Sequence, residues 1–134
     1  DPISLLQTTQ FSEVDRARWS PNSQNVIYFL AKPKNGEQKN LYRMDLSTNA
    51  PELILEGVRT YDLSSSTIYF MGQNNIIYKA NLDGKSESQL ILTPIDFSSS
   101  GEKIRLIAYD DNRQAIISDA GELYVHTMEK REKF

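Results

Sequence analysis

The apolar positions of this chain fall in short runs separated by polar turns, with no long stretch of helical periodicity. Val26 to Leu30 is a continuous apolar run rich in β-branched and aromatic residues. Leu41 to Leu46 alternates, with Leu41, Arg43 and Asp45 on one side and Tyr42, Met44 and Leu46 on the other. Both patterns predict strands, because the side-chain period of an extended chain is two and pleated surfaces favour these residue types. Ser20-Pro21-Asn22-Ser23 predicts the turn before the first run, since Pro21 fixes φ and Asn22 tolerates tight geometry. Pro33-Lys34-Asn35-Gly36 predicts the reversal between the two. Phe11 to Arg18 shows no apolar recurrence at three and four and reads as extended. Glu52 to Leu55, after an expected turn at Asn49-Ala50-Pro51, supplies a fourth strand. Four strands joined by short turns form an antiparallel meander.

The same order recurs. Arg59 to Leu63, Thr67 to Met71, Ile76 to Leu82 and Gln89 to Thr93 form a second unit, with turns at Ser64-Ser65-Ser66, Gly72-Gln73-Asn74-Asn75 and Asp83-Gly84. Tyr28-Phe29 aligns with Tyr69-Phe70, Leu41-Tyr42 with Ile77-Tyr78, and Glu52 to Leu55 with Gln89 to Leu92. A third unit places strands at Ile104 to Tyr109, Gln114 to Ser118 and Glu122 to Met128, in the register that keeps Leu123-Tyr124 third. In the alternative register, Phe97-Ser98 aligns with Trp19-Ser20. The units are expected at 14–56, 58–93 and 104–128, with a separate strand at 3–8. The last unit lacks a fourth strand in this reading, and Glu129 to Lys133 reads as a frayed charged tail. Tyr42, Tyr78 and Tyr124 are spaced by 36 and 46 residues. At four strands per unit, such periods belong to propeller-type repeats rather than helical arrays.

Trp19-Ser20-Pro21-Asn22-Ser23-Gln24, Leu41-Tyr42-Arg43-Met44-Asp45-Leu46 and Leu92-Thr93 resemble the WD40-like β-propeller repeat of TolB-type proteins. That repeat also builds the propellers of tricorn-like and prolyl-oligopeptidase-type peptidases. The family pattern is an aromatic-Ser-Pro-Asp-Gly-Lys turn, an Ile-Tyr-x-x-Asp-Leu strand and a Leu-Thr ending. Here Asn22-Ser23 replaces Asp-Gly, and Ser64-Ser65-Ser66 stands at that place in the second unit. The resemblance spans residues 17 to 128 and implies an all-β fold of antiparallel four-stranded meanders stacked as β-propeller blades. The chain would be a half-propeller or a three-blade fragment; a β-sandwich is the alternative. Three blades do not close a ring, so either a homodimer completes six blades or the chain is part of a longer propeller. The strand at Ile3 to Thr8 would complete the last blade in the manner of such rings.

Composition narrows the chemistry. The chain has 134 residues, 39% hydrophobic and 25% charged, with a net charge of -3. Both signs are interspersed, which disfavours nucleic acid, whose phosphates need a clustered basic face. No apolar run is long enough for a membrane-spanning helix. There is no cysteine, so disulfides, thiolate metal sites and cysteine nucleophiles are excluded. That absence, with a start at Asp1-Pro2 that reads as a mature or excised piece, tilts the compartment toward the periplasm or outside the cell without deciding it.

His126 is the sole histidine and, on a strand between Val125 and Thr127, is expected to be structural. No Gly-x-Ser-x-Gly occurs. Asp110-Asp111-Asn112 with Asp119 and Glu122 is the densest oxygen cluster, but it lacks calcium-loop spacing and reads as ordinary turns. The six glycines are isolated turn glycines rather than a phosphate loop. No catalytic, cofactor or metal residue is therefore assigned. Trp19, Tyr28, Phe29, Tyr42, Tyr69, Phe70 and Tyr78 are expected in the core, because they recur in register.

The expected function is a non-enzymatic protein-interaction or scaffold module presenting loops on a rigid β framework. The alternatives are the non-catalytic, substrate-gating propeller of a larger peptidase and a glycan- or small-ligand-binding propeller. The candidate contact residues are Lys34, Asn35, Tyr42, Tyr78, Asp96 and Tyr124. Lys32 to Lys39 and Pro94 to Lys103 are the longest loops.

Overall fold

The computed structural model describes residues 11–90, 104–110, 113–118, 123–127 and 131–133. The expected strand at Ile3 to Thr8 and the whole of the 94–103 loop, including Asp96, lie outside them. The described residues are all-β and form three four-stranded antiparallel sheets, each a simple up-and-down meander. By its internal contacts the chain divides into two compact units, Asp1–Val58 and Arg59–Phe134.

The first unit holds β1 (Phe11–Trp19), β2 (Val26–Pro33), β3 (Asn40–Asp45) and β4 (Ala50–Leu55), hydrogen-bonded in that order. Its core forms around β2, whose residues Ile27 to Ala31 are all buried. A strand buried on both faces needs a continuous apolar run, and that is what the sequence supplies here. On one face Ile27, Phe29 and Ala31 pack with Phe11 and Met44, flanked by Val14, Tyr42 and Leu46. Tyr28 and Leu30 alternate onto the other face, and Leu41 opposite Leu30 is likewise buried.

The first strand is less regular than its neighbours. Asp15 pairs with Leu30 and Arg18 with Tyr28, so Arg16 and Ala17 together oppose Phe29. This extra residue is a β-bulge, and Arg16 takes a φ of 55° within it. The alternation expected along Phe11 to Arg18 is broken at that point.

The turns are held by short polar contacts. Ser20 N–H donates to the Val26 carbonyl at 2.9 Å, and Ser20 Oγ lies 2.8 Å from Asn22 Oδ1. The β3–β4 turn falls at residues 46–49 rather than at Asn49-Ala50-Pro51, because Asp45 organises it. The Asp45 carbonyl accepts from the N–H groups of Thr48 and Asn49, and its carboxylate accepts from Ser47 N–H and Oγ. Asn49 closes the turn with a φ of 53°, a conformation asparagine tolerates. Ala50 and Pro51 then belong to β4, an edge strand, where proline is acceptable. Past β4, Gly57 takes a φ of 65° and donates its N–H to Asn40 Oδ1 at 3.0 Å.

The second sheet comprises β5 (Val58–Leu63), β6 (Thr67–Gly72), β7 (Ile77–Asn81) and the short β8 (Ser88–Gln89). Its central strand β6 repeats the character of β2, buried from Ile68 to Gly72. The pairing registers also repeat. Phe29 opposes Tyr42 and Leu30 opposes Leu41, just as Phe70 opposes Tyr78 and Met71 opposes Ile77.

The third sheet comprises β9 (Ile104–Asp110), β10 (Arg113–Ser118), β11 (Leu123–Thr127) and β12 (Arg131–Lys133). Leu123-Tyr124 lies on its third strand, with Tyr124 opposite Ile116. The tail reading of Glu129 to Lys133 is corrected: Arg131, Glu132 and Lys133 pair with His126, Val125 and Tyr124 as a fourth strand. Their charged side chains carry no apolar signal, and main-chain pairing needs none. Within the second unit the buried Thr60 on β5 accepts, through Oγ1, the N–H of Leu106 on β9 at 3.2 Å.

Candidate interaction surface

At one end of the first sheet, the β2–β3 loop carries Lys34 and Asn35 just past Pro33, which pairs with Phe11 of the aromatic core. Lys34 and Asn35 are exposed, and the loop is closed by Gly36 N–H donating to the Pro33 carbonyl at 2.9 Å. Tyr42 is half-buried rather than fully buried. Its ring stacks on Phe29 at 5.8 Å and tilts against Phe11 at 4.8 Å, while Asn40 Nδ2 lies 3.5 Å from its hydroxyl. Phe11 pairs with Pro33 and so anchors this cluster at the loop end.

Lys39 fastens the loop to the first strand. Its Nζ lies 2.6 Å from Asp15 Oδ2 and 3.7 Å from Glu13 Oε2. Nothing in the sequence marked these residues, which are 24 and 26 positions apart along the chain. The pair of carboxylates leaves Lys34 as the cation projecting from the loop tip, next to the exposed Glu37.

The second sheet builds the same end differently. Tyr78 is half-buried, stacks on Phe70 at 5.2 Å, and receives a hydrogen bond on its hydroxyl from Asn74 Nδ2 at 2.7 Å. The β6–β7 turn holds Asn75 at a φ of 64°, and Asn75 Oδ1 accepts from Arg59 of β5. Burial holds the Arg59 guanidinium below its ordinary pKa. Lys34 and Asn35 thus sit on the loop at the sheet end where Phe11 pairs with Pro33, with Tyr42 below them against Phe11, and Tyr78 occupies the matching position opposite Phe70 in its own sheet. Tyr124 lies on β11 at the same register position.

Trp19 is the chief correction to the expected core. It pairs with Ile27 at the end of β1, yet 60% of its surface is exposed. Its strand ends there, and the following turn runs beside the ring without covering it. Across one face of the sheet, Arg18, Tyr28, Arg43 and Glu52 occupy a single cross-strand row. Burial pulls the Arg43 guanidinium down, but hydrogen bonds with Glu52, at 3.0 Å, and Tyr28 leave its pKa raised. This row ties strands together; it contains no arrangement of nucleophile and base. Among the described residues no group of three or more His, Asp or Glu side chains could hold a metal ion, and no helix is long and apolar enough to cross a membrane.

No family model matches the chain, and no curated protein matches it in sequence. Among solved structures it is similar to one chain of a Saccharomyces cerevisiae assembly in which a Dbp5 variant is bound to Nup159, a Gle1 variant, IP6 and ADP. The TM-score is 0.54 at 11% identity, over 84% of this chain and 33% of that one. At that identity the likeness concerns fold alone. This chain spans about a third of the length of the chain it matches.

Proposed function

We propose that the three sheets are blades of a propeller of the WD40-like, TolB-type kind, and that the chain works as a non-catalytic protein-interaction module. The observation that carries this reading is the repeated register. An aromatic ring on the second strand opposes a tyrosine on the third in the first two sheets, and Tyr124 takes that place in the third. Repeats of one supersecondary unit bury their faces by stacking on one another. Three blades are fewer than the four to eight that typically close a ring, so the others come either from a second copy of the chain or from further repeats of a longer propeller.

In this reading the β2–β3 loop is the contact surface. Its tip is exposed, Lys39 ties its base to β1, and Phe11, Phe29 and Tyr42 pack ring against ring in the sheet that carries it. Such an arrangement holds a recognition loop in place at low entropic cost on binding. A photo-cross-linking phenylalanine analogue placed at Asn35 and, separately, at Ser47 in the β3–β4 turn tests it in cells. A discrete protein adduct at Asn35 and none at Ser47 is expected. Equal labelling at both ends, or none at Asn35, contradicts the assignment.

A further inference from the structure

The β1–β2 turn carries a second, separate feature at the opposite end of the first sheet. Trp19, Ser20, Pro21, Asn22, Ser23 and Gln24 line an open hollow of about 450 Å³. Trp19 is the chain's only tryptophan. Phe11, Tyr28, Phe29, Tyr61, Tyr69 and Phe70 are all buried, whereas Trp19 is exposed. The platform is rigid: cross-strand pairing with Ile27 fixes the ring's strand, Ser20 N–H is bonded to Val26, and Pro21 and the Ser20–Asn22 contact stiffen the turn.

The lining has a definite chemistry. It offers one large aromatic surface, two hydroxyls and two primary amides, and no charged side chain. The Ser23 hydroxyl and the Gln24 amide have no hydrogen-bond partner among the described residues. An anionic or cationic ligand would find no counter-charge here. A wholly apolar ligand would cover the amides and leave them unpaired, which costs free energy. A pyranose with equatorial hydroxyls satisfies both halves, laying its C–H face on the ring while its hydroxyls exchange hydrogen bonds with the amides. We propose that the Trp19 hollow is a shallow binding subsite for neutral, glucose-configured sugar units. The site lies wholly in one sheet and requires neither ring closure nor the β2–β3 loop.

Because Trp19 is the sole tryptophan, its emission reports this site directly. The full chain is titrated with cellotriose and with chitotriose, using trigalacturonate and a proline-rich decapeptide as the competing classes. A saturable blue shift with a neutral trisaccharide is expected. By calorimetry Trp19→Ala weakens that binding by at least about tenfold, the equivalent of ~1.4 kcal/mol, and Gln24→Ala weakens it several-fold, while both variants keep the wild-type unfolding midpoint. The proposal is overturned if neither neutral trisaccharide gives a saturable change, if only trigalacturonate or the peptide does, or if sugar binding survives Trp19→Ala.

Discussion

Phe70 and Tyr78 stack across β6 and β7 with ring centroids 5.2 Å apart and planes 17° from parallel. Phe29 and Tyr42 repeat the arrangement across β2 and β3, at 5.8 Å and the same 17°. Cross-strand aromatic pairs stabilise sheets beyond the area they bury. A double-mutant cycle with Phe70→Leu and Tyr78→Leu is expected to show a coupling of about 0.5–1.5 kcal/mol in denaturant unfolding. The Phe29–Tyr42 cycle should give a value of similar size. Strict additivity in both cycles would remove the pair from its organising role.

The contrast between Phe29 and Trp19 separates core from surface among residues that look alike in sequence. Phe29 has no exposed surface, so Phe29→Ala should cost about 3–5 kcal/mol. Trp19→Ala, at a largely exposed position, should stay within about 0.5 kcal/mol of wild type. Chemical denaturation of the two variants decides the matter, and a large loss at Trp19 would return that residue to the core.

Much of the fold was legible because its signals are local. The apolar runs at Val26 to Leu30 and Thr67 to Met71 announced central strands, and Asp83-Gly84 marked the turn where Gly84 takes a φ of 82°. The recurrence of Leu/Ile-Tyr placed the third strand of each sheet. What failed depended on contacts that a pattern does not encode. Trp19 shares its aromatic character with core positions, but the strand ends at that residue. Arg131 to Lys133 pairs through its backbone and has no apolar alternation. The bulge at Arg16 adds a residue without any glycine to announce it. At the candidate surface, Lys34 and Asn35 were readable from the turn, whereas Lys39 acquires its role from Glu13 and Asp15, which only the pairing of β1 with β2 brings near.

Thr60 links the two sheets of the second unit through one buried hydrogen bond to Leu106. Thr60→Val keeps the shape and removes the acceptor, leaving a buried N–H unsatisfied. The expected loss is about 1–3 kcal/mol, and hydrogen exchange at the Leu106 amide should accelerate in step. Unchanged protection of that amide would show that the bond contributes nothing.

Asp45 gives the β3–β4 turn a defined pH dependence. Hydrogen bonds from the Ser47 N–H and hydroxyl hold its carboxyl below the ordinary carboxylate range. A folded pKa lower than the unfolded one means the stabilisation is present above the unfolded value. It is lost as pH falls through the folded value. The stability difference between wild type and Asp45→Asn should therefore shrink on acidification below the usual carboxylate range. A difference that stays constant across that range would show that the charge plays no part.

Light scattering on a sizing column tests the propeller reading most directly. If two copies of the chain complete the proposed ring, the expected species has twice the 15.3 kDa chain mass and does not dissociate on moderate dilution. A monodisperse, soluble monomer at the single-chain mass would contradict ring closure by two copies.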